Sequence, residues 1–128
     1  MEKKGSDIQE RVFRFACRVV KLHSHMCKEK ASYRSLSQQL LRAATSIGAN
    51  LEEADAGQSR ADFLSKIRIA LKEARETHYW LRLLVACEII PSDRLGNLLE
   101  EANQLVAILT AIARKTQNAR AIDTLEPG

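Results

Sequence analysis

Two rows of basic residues are the stretches of this chain best spaced for chemistry. Arg11, Arg14, Arg18, Lys21, His25 and Lys28 step by three and four, which at about 100° per residue places them on one stripe of a helix. Arg68, Lys72, Arg75, Tyr79 and Arg82 repeat that spacing, with an aromatic ring inside the row. A line of guanidinium and ammonium groups can track the phosphates of a nucleic acid, and an aromatic among them can stack on a base. The same spacing also serves a plain solvated face, where charges pair with carboxylates one turn away.

Other groupings offer less. Glu73 and Glu76 form an E-x-x-E pair, but di-iron bundles need Glu-x-x-His on two helices, and His78 stands at the wrong offset from both. His23 and Cys27 share a helix face while His25 points elsewhere, so two ligands at most converge, too few to close a zinc site. There is no Gly-rich phosphate loop. The expectation is therefore no catalytic residue, no metal and no cofactor: not an enzyme.

Helices must carry these rows. The 128 residues suit one domain spanning 1–128, and aromatics at 5% with only 2 Pro argue against sheets and frequent turns. The class expected is all-α. No apolar run is long enough to span a membrane, and no apolar h-region follows the charged Met1–Ser6, so no secretory leader is expected. Three cysteines, odd in number and without metal-site spacing, fit a reduced cytoplasmic setting. Net charge is +4 but uneven: residues 1–34 carry nine Lys/Arg against four Asp/Glu, while the remainder carries eleven against twelve. The basic character thus belongs mostly to the first helix and its following loop, which raises the question of nucleic acid.

Periodicity predicts helices over about 7–28, 36–56, 60–88 and 93–114, with tails at 1–5 and 115–128. Ser6/Gln9 and Ser35/Gln38 read as capping boxes, Ser59 with Asp62 as a related cap, and Ser92 as the cap of the last helix. The expected core stripes are Ile8, Val12, Phe15, Ala16, Val19 and Met26; then Leu36, Leu40, Ala43, Ala44, Ile47, Leu51 and Ala54. In the third helix they are Phe63, Ile67, Ala70, Ala74, Leu81 and Val85; in the fourth, Leu95, Leu98, Leu99, Ala102, Leu105, Val106, Leu109 and Ile112. Gly48, inside the second helix, suggests close backbone approach of a neighbour, and Gly57 suits the position just past a helix end. Short connections make the arrangement an antiparallel up-down-up-down four-helix bundle.

Two further surfaces are sided. Gln39, Ser46, Asn50 and Glu53 form a polar row bordering the second helix's stripe, with Asn50 or Glu53 expected to pair across to the third helix. Ile69, Glu73, Glu76, Trp80 and Leu83 give the third helix a second, mixed face, and a helix apolar on two sides meets two partners. Trp80 either caps the core of one chain or anchors a contact between subunits.

The segment QLLRAATSIGANLEEADAGQSRADFLSKIRIALKEARETHYWLRLL resembles the signature of the four-helix-bundle protein family, also called the large-subunit ribosomal RNA intervening-sequence proteins. The resemblance covers about residues 10–115. It is specific at Arg42-Ala43-Ala44, Ser46-Ile47, Ala49-Asn50, Glu53, Phe63, Lys72 through Thr77, and Trp80-Leu81. Many members have Pro where this chain has Gly48, and Glu-Gly soon after the Asn, which suggests a subgroup. The resemblance implies a bundle assembled as a ring-like homo-oligomer, typically a pentamer, with no established enzyme activity. A fold relative, the accessory protein of diversity-generating retroelements, is similarly a pentameric bundle that binds nucleic acid and a reverse transcriptase.

Together these observations predict a non-enzymatic, cytoplasmic homo-oligomer. RNA or DNA would be bound by Arg11, Arg14, Arg18, Lys21, Arg68, Lys72, Arg75 and Arg82. The subunit interface would draw on Gln39, Asn50, Glu53, Ile69, Glu73, Trp80 and Leu83. The alternative is a protein-interaction scaffold that recruits a partner such as a reverse transcriptase and touches nucleic acid little.

Overall fold

Apolar residues recurring at steps of three and four fold the chain into four long helices; the computed structural model describes residues 4–57 and 59–125. The helices are α1 (Lys4–Glu29), α2 (Arg34–Asp55), α3 (Arg60–Ala86) and α4 (Ser92–Leu125), with a 3₁₀ turn at Ala31–Tyr33 between the first two. Among the described residues there is no strand, and no helix is long and apolar enough to cross a membrane. The protein is all-α, a four-helix bundle. In chain order each helix packs on the next, while α1 meets α4 at only a few places.

The buried residues follow the predicted stripes closely. Val12, Phe15, Val19 and Met26 of α1 meet Leu40, Ala44, Ile47 and Leu51 of α2, Ile67, Ala70, Ala74 and Leu81 of α3, and Leu95, Ala102, Leu105 and Leu109 of α4 in one cluster. On α3 the buried set is wider than expected, adding Leu64, Leu71, Thr77 and Leu84. The reason is that α3 lies between α2 and α4 and must bury two flanks. Thr77 tolerates full burial because its hydroxyl donates to the Glu73 carbonyl at 2.8 Å.

Helix ends divide by how local their causes are. Ser59 caps α3 as predicted: its Oγ accepts from the Asp62 N–H at 3.0 Å, and Asp62 places a carboxylate at the positive end of the helix dipole. The serines of the other two boxes do not stand at the starts of their helices. Helix α1 already begins at Lys4, ahead of Ser6, whose side chain lies outside the described residues. Helix α2 is entered from the 3₁₀ turn through Tyr33, at φ −82° and ψ −10° with no side-chain cap, so no extended residue is left to make Ser35 a cap. At α4, Ser92 is already helical, and the Arg94 N–H donates to the Pro91 carbonyl at 3.0 Å.

The loose tail expected from 115 is also corrected, since α4 runs to Leu125. Small residues continue its inner face, with Ala113 buried and Thr116 and Ala119 half-buried, and no Pro or Gly interrupts before Pro127. A pattern sought in large apolar residues does not register them. The ends of the predicted tails, residues 1–3 and 126–128, lie outside the described residues.

The close backbone approach expected at Gly48 does not occur; the one neighbour within 4 Å of a Cβ there would be a side chain of α1, at ordinary contact distance. Val12 Cγ1 lies 3.4 Å from the position a Cβ would take. Gly57 does follow α2, yet it is not left-handed; a Cβ there would sit 3.2 Å from the Ala54 carbonyl oxygen. The left-handed residue is instead Glu88, φ 59°, past the end of α3. Its N–H donates to the Val85 carbonyl at 3.0 Å and that of Ile89 to Leu84 at 3.0 Å, the paired bonds of a Schellman motif.

Candidate functional site

The charges of α3 are sorted by its two flanks. On the flank toward α2, Arg42 pairs with Glu73 at 3.2 Å and also with Glu76. The hydrogen bond that Arg42 donates to Glu76 raises the guanidinium pKa above its ordinary value against the opposing effect of burial, and the bond donated to Glu73 adds to it. One arginine of α2 thus gathers both carboxylates of the E-x-x-E pair. Lower on the same seam, Lys66 donates to Glu53 at 2.7 Å. That pair is the cross-helix contact expected of Asn50 or Glu53; Asn50 instead donates to the Ser46 carbonyl of its own helix at 2.8 Å.

On the other flank of α3 the basic row stands clear. Arg68, Lys72, Arg75, Tyr79 and Arg82 are all exposed. Lys72, Arg75 and Arg82 form no ion pair among the described residues, and Arg68 donates only to the neutral Gln117 of α4, at 3.0 Å. Tyr79 is 49% exposed, its ring held edge-on against Trp80 with centroids 5.2 Å apart and planes at 71°. Beneath the row, burial pushes the His78 pKa down and the Arg82 charge adds to it, which favours a neutral imidazole.

The α1 row is split. Arg11 is drawn inward to Glu101 of α4, with Nε to Oε2 at 2.7 Å and Nη2 to Oε1 at 2.8 Å, and it also donates to Gln104. The hydrogen bond from Arg11 holds Glu101 below the usual carboxylate range against the opposing effect of burial, and the charges of Arg11, Arg18 and Arg14 add. This bidentate pair is the main polar tie across the sparse α1–α4 seam, so Arg11 is a structural residue and does not present its charge outward as the row pattern predicts. Arg14, Arg18 and Lys21 remain exposed and make no ion pair among the described residues. The two rows flank α4 on either side, tied to it through Arg11 and Arg68.

The residues expected at a subunit interface divide as well. Glu53 and Glu73 are spent on pairs within the chain, Gln39 is exposed, and Asn50 is half-buried on its own helix. Ile69 is 38% exposed and Leu83 half-buried. Trp80 packs against the core, and its Nε1 is covered with no acceptor among the described residues.

Pairing partners are what sequence inspection misses. It shows Arg42 only as part of a motif, although an arginine facing two carboxylates one turn apart is the signal that could mark it. Phe13 and Val20 of α1, 68% and 48% exposed, escape it too, because they fall between the core and basic stripes. The His23–Cys27 pair does share a face: Nε2 lies 3.6 Å from Sγ, and Nδ1 lies 2.6 Å from the buried Ser37 Oγ. His25 turns away to Glu29, 3.3 Å off, and no group of three metal-ligating side chains occurs among the described residues.

Comparison with known proteins agrees with this architecture. A crystal structure of a protein of unknown function from the S23 ribosomal protein family of Bacteroides thetaiotaomicron is similar at 40% identity, with a TM-score of 0.79. The match covers 83% of this chain and 97% of that one. No curated protein matches the chain. The model of the 23S rRNA-intervening sequence protein family matches residues 4–111, which takes in α1, α2, α3 and α4 as far as Ala111. The chain belongs to the 23S rRNA-intervening sequence protein family.

Proposed function

We propose that this protein is a non-enzymatic, oligomeric helical bundle that binds RNA or DNA through its basic helix faces. The observation that carries the proposal is the sorting of charge on α3. Arg42 takes Glu73 and Glu76 to one flank, leaving Arg68, Lys72, Arg75 and Arg82 on the other with no ion pair among the described residues. A row neutralised in place would belong to a solvated surface; a row kept free of carboxylates is suited to a polyanion. Arg14, Arg18 and Lys21 extend the positive surface along α1.

The bundle is proposed to run up-down-up-down. Supporting this, the later residue of α2, Glu53, pairs with the earlier residue of α3, Lys66, while Arg42 pairs with Glu73 and Glu76. Arg68 early in α3 likewise meets Gln117 late in α4, and His23 late in α1 meets Ser37 early in α2. A ring of subunits, five by family resemblance, would use Ile69, Leu83 and the rim of Trp80. It would multiply weak basic patches into one site of high effective concentration. Three cysteines, all free thiols, suit a cytoplasmic setting, and an accessory role beside a reverse transcriptase rests on analogy of fold alone.

A scaffold that holds a protein partner is the second proposal, favoured by Phe13 and Val20 exposed on either side of the exposed Cys17. Light-scattering mass during size exclusion, with and without mixed RNA and DNA at two salt concentrations, separates the two. The nucleic-acid proposal expects an oligomer that gains mass at low salt and sheds it at high salt. An oligomer indifferent to nucleic acid at both salts favours the scaffold, and a monomer removes the ring.

A further inference from the structure

We infer that the α3 row takes single-stranded nucleic acid, with Tyr79 as the platform on which a base stacks. The inference rests on the nucleic-acid proposal above and narrows it to one ligand class. Arg68 to Arg82 spans about 21 Å of helix at 1.5 Å per residue, with Tyr79 near one end between Arg75 and Arg82. Cations on both sides of the ring can hold the phosphates flanking one base.

The aromatic ring favours a single strand over a duplex. Tyr79 is 49% exposed and makes no hydrogen bond among the described residues, and its ring rests edge-on against Trp80. A half-exposed aromatic ring offers stacking area only to a base whose own face is open. In a duplex those faces are already stacked on each other. A duplex would therefore touch the row through phosphates alone and leave Tyr79 unused.

Trp80, the only tryptophan, lies against Tyr79 and reports on it. The experiment titrates the full chain with three probes of equal length: an oligothymidine, the same sugar-phosphate chain without bases, and a duplex. Trp80 emission and competition against a labelled oligothymidine are the readouts. The normal protein and Tyr79→Phe are expected to bind oligothymidine about tenfold or more tighter than the abasic strand, with a change in Trp80 emission. Tyr79→Leu is expected to bind the two alike while keeping its helical circular dichroism. Equal affinity of the normal protein for the strands with and without bases, or a preference for the duplex, overturns the inference while leaving charge-driven binding in place. Binding of none of the three at low salt overturns the nucleic-acid proposal itself, and this inference with it.

Discussion

Arg11 and Arg42 carry the same charge and occupy similar helix edges, yet they serve the molecule rather than a ligand. Each is held by carboxylates of another helix, and each leaves a neighbouring row exposed. For Glu101 the consequence is measurable. Its folded-state pKa lies below the ordinary carboxylate value, so its contribution to stability is complete above the unfolded pKa of about 4.3. That contribution is lost as pH falls through the folded value. Urea unfolding of the normal protein should weaken on acidification below about pH 4.3, and Glu101→Gln should lose that part of the pH dependence while being less stable at neutral pH. An unchanged acid limb in the variant would show that the Arg11 pair does not hold the α1–α4 seam.

Also at the residue scale, Glu88 occupies a left-handed position at φ 59°, where a side chain costs about 1–2 kcal/mol relative to glycine. Glu88→Gly should raise stability by about 1 kcal/mol, less the chain entropy that glycine gives up on folding, read as a higher urea midpoint at constant slope. Local chemistry of this kind is partly legible in the sequence. Ser59 can be read as a cap because an N-cap needs only the residue, an extended backbone and the amide three positions on. Ser35 meets the same sequence test and fails it in the structure, since the preceding 3₁₀ turn removes the extended backbone. The left-handed Glu88 carries no signal, because the expected residue there is glycine.

At the scale of elements, the spacing of apolar residues specifies all four helices and most of the core. It falls short where the deciding residues are small. Ala113, Thr116 and Ala119 carry α4 to Leu125, beyond the last large apolar residue of the stripe. The pairing of helix edges is less legible still. Glu53–Lys66 is half legible, because one partner sits in a polar row, but Arg42 with Glu73 and Glu76 joins residues more than thirty positions apart. Gly48 tests the packing between α1 and α2. Its absent Cβ would meet only Val12 Cγ1 at 3.4 Å, an ordinary contact, so Gly48→Ala should stabilise by up to about 1 kcal/mol through helix propensity. Gly48→Leu should destabilise by about 1–3 kcal/mol, because further carbons must displace Val12. Thermal unfolding of both variants distinguishes a packing glycine from one that merely lowers helicity; a neutral Gly48→Leu would refute the close seam.

At the scale of the whole molecule, the uneven charge of the first 34 residues is a partial guide. The excess lies there, but the better-segregated basic face lies on α3, in the part of the chain whose charges nearly cancel by count. Net charge by segment is blind to which flank of a helix each residue occupies, and to Arg42 collecting two carboxylates from across the seam. Family membership adds the fold and a shared architecture with a protein of unknown function, so the account of function stands on the surface itself.

The most direct measurement of that account is the salt dependence of binding to a labelled single strand, compared between the normal protein and the double variant Lys72→Glu/Arg75→Glu. Both positions are exposed and form no ion pair among the described residues, so the fold should persist in circular dichroism. The account predicts affinity at least about tenfold weaker for the variant, and a logarithmic salt slope shallower by roughly 0.7 for each phosphate that is no longer neutralised. Equal affinity and an unchanged slope would contradict it, and would mean that the row kept clear by Arg42 is solvated surface.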